Sequence, residues 1–274
     1  MVLCEKPLCA SLAELDQIQA AEARTGRYTS CVFQMRFATS NVHVRRLLND
    51  GVFGRPLLAI CNTLWYRDAA YYAVPWRGKW TTELGGPTMS QGIHTMDHLL
   101  HLFGEWSEVR AVADTLHHAI EVEDVSMAHV KFANGARASI VNSTVCPRQE
   151  TYLRLDCVDA TLELTHLYAY SRENWKLTPA DPAQAAAMTA AWEAFPTPDV
   201  GSTHGAQLNE IVAHMDAGTR PLTSGDEARR TIEFLTAIYK SAFTGQAVTP
   251  HSIRPGDPFY TALHGGMAPP RRKR

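Results

Sequence analysis

Between residues 108 and 165 the chain changes period: five runs, at 108–116, 124–132, 136–145, 151–158 and 161–165, alternate apolar with polar residues and are separated by short connections. Alternation of this kind puts one face of each strand in a core and turns the other outward. Short connections allow only antiparallel neighbours, because a parallel pair needs a crossover of a dozen or more residues. Asn134-Gly135 lies between the second and third runs, and both residues accept the positive φ of a type I′ hairpin turn. A sixth run at 175–177 extends the series. A sheet of this size has to be covered on at least one face by helices.

Those helices are written on either side of the strands. A run at 89–103 closes on Gly104, and two amphipathic stretches at 203–217 and 226–243 follow, the second opened by a capping box from Ser224 to Glu227. Residues 182–195 are alanine-rich and weakly helical. Ahead of the strands, 2–4 ends a buried strand, Ser11 and Glu14 form a capping box for a helix closed by Gly26, and 28–37 reads as a second strand. Strand, helix and strand in this span make one βαβ unit of a parallel sheet. A further helix at 42–49 and strand at 57–65 lead into an irregular aromatic and basic stretch, 66–84. The expected fold class is α/β. Residues 1–36 form a remnant of a Rossmann-type parallel sheet, and 37–249 an α+β domain with a large, mostly antiparallel, open-faced sheet. Residues 250–274 are a proline-rich basic tail left without structure.

Composition narrows the function classes. With 45% apolar residues, 20% charged residues and a net charge of −2, the chain resembles an ordinary globular protein and gives no electrostatic reason for a nucleic-acid partner. The dense basic run at 271–274 is read as a solvated end. None of the six cysteines falls in a C-x-x-C pair, so reduced thiols are expected. No secretory leader or run of about 18 apolar residues is present, which points to the cytoplasm and away from a membrane.

The residues that carry chemistry come in an order. Glu5-Lys6-Pro7 ends the first strand, and Gly85-Gly86, Gly92, His94 and Asp97 follow at the head of a helix. His204-x-x-Gln207 opens a later helix, and a segment from Gly218 to Gly225 leads into the last long one. In order and spacing these resemble the motifs of the glucose-fructose oxidoreductase / inositol dehydrogenase (Gfo/Idh/MocA) family, over nearly the whole chain. Trp65-Tyr66-Arg67 and Trp76-Arg77-Gly78 resemble one branch of it. The resemblance implies an NAD- or NADP-dependent oxidoreductase of a sugar, inositol or related polyol, assembled as a homo-oligomer through the open sheet face.

It also implies roles. Oxidising an alcohol removes a hydride and a proton; a nicotinamide takes the first, and the protein handles the second. Lys6 and His94 are the expected catalytic pair, His94 because its ordinary pKa lies near working pH and Lys6 because an ammonium stabilises a developing alkoxide. Glu5, Lys6, Pro7, Trp76 and Arg77 are expected at the cofactor, and Tyr66, Arg67, Tyr72, Trp80, Ser90 and Asp97 at the substrate. Ser90 departs from the family, which most often has an aspartate there, and Asp97 is placed to orient His94. His94, His98 and His101 share a helical face that resembles zinc spacing, but without the glutamate of zinc peptidases, so no metal is expected. None of the 17 glycines forms the G-x-G-x-x-G turn that holds a dinucleotide pyrophosphate. The chain therefore reads as N-terminally truncated relative to the family, with impaired hydride transfer expected. A non-catalytic polyol-binding or oligomer-forming subunit is the alternative, and a metal-dependent enzyme a further one.

Overall fold

The computed structural model describes residues 1–267 and 269; the basic run at 271–274 lies outside the described residues. The N-terminal unit is β1 (Val2–Cys4), α1 (Leu12–Thr25) and β2 (Thr29–Cys31), with β1 and β2 paired in parallel from Val2↔Thr29 to Cys4↔Cys31. Ser11 caps α1 by accepting from the Glu14 amide at 3.2 Å, and Gly26 closes it in the left-handed conformation at φ 65°. The second strand is shorter than its residues suggest. Gln207 accepts from the Phe33 amide at 3.1 Å and donates to the Cys31 carbonyl at 2.7 Å, so a side chain replaces the ladder and 34–37 turns into a 3₁₀ helix.

After α2 (Thr39–Asn49) comes β3 (Pro56–Tyr66), then α3 (Ala69–Tyr72), α4 (Pro87–Ser90) and α5 (Gly92–Phe103). The remaining strands are β4 (Trp106–Asp114), β5 (Val125–Phe132), β6 (Arg137–Ser143), β7 (Val145–Cys157), β8 (Ala160–His166) and β9 (Trp175–Pro179). Four helices follow: α6 (Ala186–Glu193), α7 (His204–Ala217), α8 (Asp226–Thr244) and α9 (Pro258–Thr261). Seven strands form one sheet in the order β4-β5-β6-β3-β7-β8-β9, in which only β3 and β6 run parallel. Ala59, Cys61, Ile140, Val130, Leu153 and Leu164 point from it into the core shared with α5 and α8. The opposite face keeps Leu58, Val112 and Met127 exposed among charged residues, so the sheet is open as expected.

Three local expectations fail for physical reasons. The Asn134-Gly135 hairpin exists, but only Gly135 has positive φ, at 92°, and the Gly135 amide returns to Phe132 at 3.1 Å. Asn134 is instead held by its side chain, which donates to the Phe103 carbonyl at 2.8 Å, so the loop is a three-residue one rather than type I′. Ser224 does not cap α8; its hydroxyl accepts from Arg220 at 3.1 Å, and Glu227 turns to Arg36. The tail is structured over residues 250–267. Asp257 caps α9, Ile253, Phe259 and Leu263 are buried, and the Tyr260 hydroxyl donates to Asp16 of α1.

Candidate active site

The helix expected over 89–103 is broken at Gln91 into α4 and α5, and the break builds the site. Buried Glu123 accepts from the amides of Gly86 at 3.0 Å and Thr88 at 3.1 Å, capping α4 with a carboxylate. Gly86 has to be glycine, because a Cβ there would lie 1.7 Å from the Glu123 carbonyl oxygen. Gly92 likewise lies against Asn142 of β6, whose side-chain oxygen would be 2.1 Å from a Cβ. These close approaches carry His94 to the C-terminal end of β3.

There a cavity of about 350 Å³ opens between the turn after β1, the end of β3, the 67–84 segment and the start of α5. Lys6 and Pro7 enter from the first turn; Arg67, Trp76 and Arg77 come from the aromatic stretch; Ser90 and His94 come from the broken helix. The Lys6 ammonium donates to the Ser90 carbonyl. Burial lowers its pKa, partly offset by Glu5 and Glu83. His94 is pushed down to about 3, first by burial and then by the Lys6 and His204 charges, and its Nδ1 is buried without a hydrogen-bond partner among the described residues. His94 is therefore a neutral ring at working pH and a weaker base than its ordinary value implies.

Among the described residues, Glu83 is the one carboxylate lining the cavity, and it is bound to Arg77 at 2.7 Å and to the Gly78 amide at 2.6 Å. Arg77 stacks between Tyr71 at 3.9 Å and Trp76 at 4.1 Å from the ring centroids. The Tyr71 hydroxyl accepts from Gln91 at 3.2 Å, so this wall is tied to the broken helix. The Ser90 hydroxyl donates back to the Gly86 carbonyl at 2.7 Å.

The family model for the GFO/IDH/MocA C-terminal domain matches residues 41–163, which include this helix and the wall opposite Lys6. Over that segment the chain is similar to the Gfo/Idh/MocA C-terminal domain. D-apiose dehydrogenase from Paraburkholderia graminis is 26% identical over 282 residues, covering 96% of this chain and 70% of the relative. The WlbA dehydrogenase of Bordetella pertussis, solved with NADH and UDP-GlcNAcA, superposes with a TM-score of 0.75 at 26% identity, over 90% of this chain and 71% of that one. Aldose-aldose oxidoreductase from Caulobacter crescentus, solved with glycerol, shares the fold with a TM-score of 0.73 at 23% identity, over 90% of this chain and 71% of its own. The Gfo/Idh/MocA proteins it resembles are sugar oxidoreductases.

Against this family frame, several expected site residues lie elsewhere. Asp97 is buried away from the cavity, accepting from Arg36 at 2.6 and 2.7 Å and from Thr231 at 2.7 Å; it orients a core arginine rather than His94. Trp80 is core, stacked on His264 at 4.6 Å with its indole donating to Glu121 at 3.1 Å. Tyr72 bonds Thr144 at 2.9 Å and packs on His118, while its neighbour Tyr71 faces the cavity, because adjacent helical residues project about 100° apart. Tyr66 and Glu5 are exposed and outside the lining.

The histidine face does not converge either. His98 bonds Asn41 at 2.6 Å and stacks on Tyr170, and no group of three or more His, Cys, Asp or Glu side chains that could hold a metal ion occurs among the described residues. Sequence reasoning missed Tyr71, Glu83, Gln91 and the threonines Thr63, Thr95 and Thr151 that floor the cavity. Gln91 lay inside the motif and Tyr71 beside a chosen tyrosine; Glu83 and the threonines carried no local signal.

Proposed function

We propose that this chain acts on a sugar or related polyol as an NAD(P)-dependent oxidoreductase, with Lys6 and His94 at the reacting carbon. The observation that carries the reading is convergence: Lys6 from the first turn and His94 from α5 line one cavity beside Trp76 and Arg77. The cavity fits the nicotinamide end of a dinucleotide, since the partnerless His94 Nδ1 supplies a polar atom and exposed Trp76 an aromatic surface. Lys6, Trp76 and Arg77 would hold that end. A bound nicotinamide supplies the hydride acceptor or donor.

The residues of the chain handle the proton. Lys6, with its ammonium pKa lowered by burial, takes the hydroxyl proton of the alcohol and returns it in reduction. Neutral His94 hydrogen-bonds the same oxygen and keeps it facing Lys6. This exchanges the roles expected from unperturbed pKa values, because burial weakens one base and lowers the other group toward working pH. Ser90 contributes a hydroxyl where a carboxylate is usual, so no third charge assists. The six cysteines are free thiols, which suits a cytoplasmic protein, and among the described residues no helix is long and apolar enough to cross a membrane. A second copy of the chain would cover the open sheet face.

Ser90, a hydroxyl where the family most often has a carboxylate, favours a second reading, a sugar-binding subunit without hydride transfer. Titrating the protein with NADH and NADPH while following tryptophan fluorescence separates the two, since Trp65 and Trp76 line the cavity. Quenching by cofactor, with sugar-dependent absorbance at 340 nm that Lys6→Met reduces by about 10²-fold or more, supports the first. Sugar binding with no cofactor response at millimolar concentration refutes it and leaves the second.

A further inference from the structure

We propose that the sugar taken by this cavity carries a carboxylate, as in an aldonic or uronic acid, and that Arg67 reads it. The inference rests on the reading of the cavity as a sugar site. Two guanidinium cations, Arg67 and Arg77, line it beside Lys6, against the single carboxylate of Glu83. Glu83 is committed to Arg77 and to the Gly78 amide. Lys6 spends one hydrogen bond on the Ser90 carbonyl and lies on the opposite wall, where the reacting carbon is placed.

Arg67 has no carboxylate partner among the described residues. Its Nη1 donates to the Tyr66 carbonyl at 2.9 Å, and its Nε is buried with no hydrogen-bond partner among the described residues. The guanidinium is clamped by aromatic rings, Trp65 at 4.7 Å and Tyr71 at 5.0 Å. Trp65 is fixed in turn by its indole bond to Thr151 at 3.0 Å, and the Arg67 amide by the Thr144 carbonyl at 2.8 Å. Stacking holds the faces of the guanidinium and leaves its N–H edge to bind a planar oxyanion in two parallel bonds. A neutral hydroxyl would leave that charge without a counterion in a half-enclosed site. A volume of about 350 Å³ is at the small end for ligand sites, which suits one sugar ring rather than an oligosaccharide.

The test measures binding of four ligand types to the full chain by calorimetry or tryptophan fluorescence: a hexuronate, its methyl ester, the neutral parent hexose and a hexose phosphate. The acid is expected to bind about ten- to a hundredfold more tightly than the neutral sugar and the ester, the range of a charge-assisted pair. Arg67→Gln should collapse that ratio to near unity, and Arg67→Lys, which keeps charge but loses the fork, should give an intermediate ratio; unchanged melting temperatures show that both variants fold. Equal affinity for acid and neutral sugar, or a preference untouched in Arg67→Gln, overturns the inference but leaves a sugar site. Tighter binding of the phosphate overturns the carboxylate assignment. Binding of none of the four overturns the inference together with the sugar reading beneath it.

Discussion

Asp97 sits in the motif that carries His94, yet its carboxylate serves the core. Replacing it with alanine removes three hydrogen bonds at 2.6 to 2.7 Å and leaves the fully buried Arg36 guanidinium with Glu227 alone, at 2.5 Å. Removing one partner of a buried pair costs roughly 3–5 kcal/mol, since the remaining charge has neither water nor a full counterion. In a chain of this size each kcal/mol moves the melting temperature by about 2–4 °C, so Asp97→Ala should melt about 10 °C lower, seen by circular dichroism and by an earlier urea midpoint. Asp97→Asn, which keeps an acceptor for Thr231, should lose less. The double variant Arg36→Met/Asp97→Leu should recover part of the loss, because no charge is then stranded. If Asp97→Ala melted with the wild type while losing ligand binding, the structural assignment would be wrong and Asp97 would belong to the site.

Two further outcomes follow from the buried rings and the open sheet. His94 and His98 are held down to about 3 and His166 to about 4, each mainly by burial. The unfolded chain therefore binds protons below about pH 6.5 that the folded chain refuses, and stability complete above that pH should decline as pH falls toward 4; a urea midpoint independent of pH between 7 and 4.5 would contradict this. Light scattering at micromolar concentration should find a dimer or larger assembly that Leu58→Glu on the exposed sheet face dissociates, whereas a monomeric wild type would remove the self-association reading.

The strands were legible because a half-buried sheet imposes period two on the chain, and every run from 108 to 165 became a strand of the large sheet. The site was legible in part. Lys6, Pro7, Arg67, Trp76, Arg77, Ser90 and His94 line the cavity. What escaped reading depends on partners remote in sequence. Gln207 ends β2, Glu123 caps the short helix α4, and Arg36 claims an aspartate one helical turn from a histidine. Trp80 and Tyr72 were misplaced because an aromatic residue in an irregular segment has no period to say which way it faces. The tail was misread because five prolines suggest an unfolded end, whereas Pro258 stands at the first turn of α9, where a missing N–H costs nothing.

That tail also fixes the order in which the site can be completed. Tyr260 grips Asp16 on the helix that follows Lys6, and His264 stacks on Trp80, six residues ahead of the turn at Gly86. The two walls of the cavity are thus braced by residues that follow both of them in the chain. Lys6 and His94 both precede those braces, and the frame that holds them apart closes only when residue 264 has emerged. A nascent chain therefore carries its reactive groups long before it carries a finished pocket.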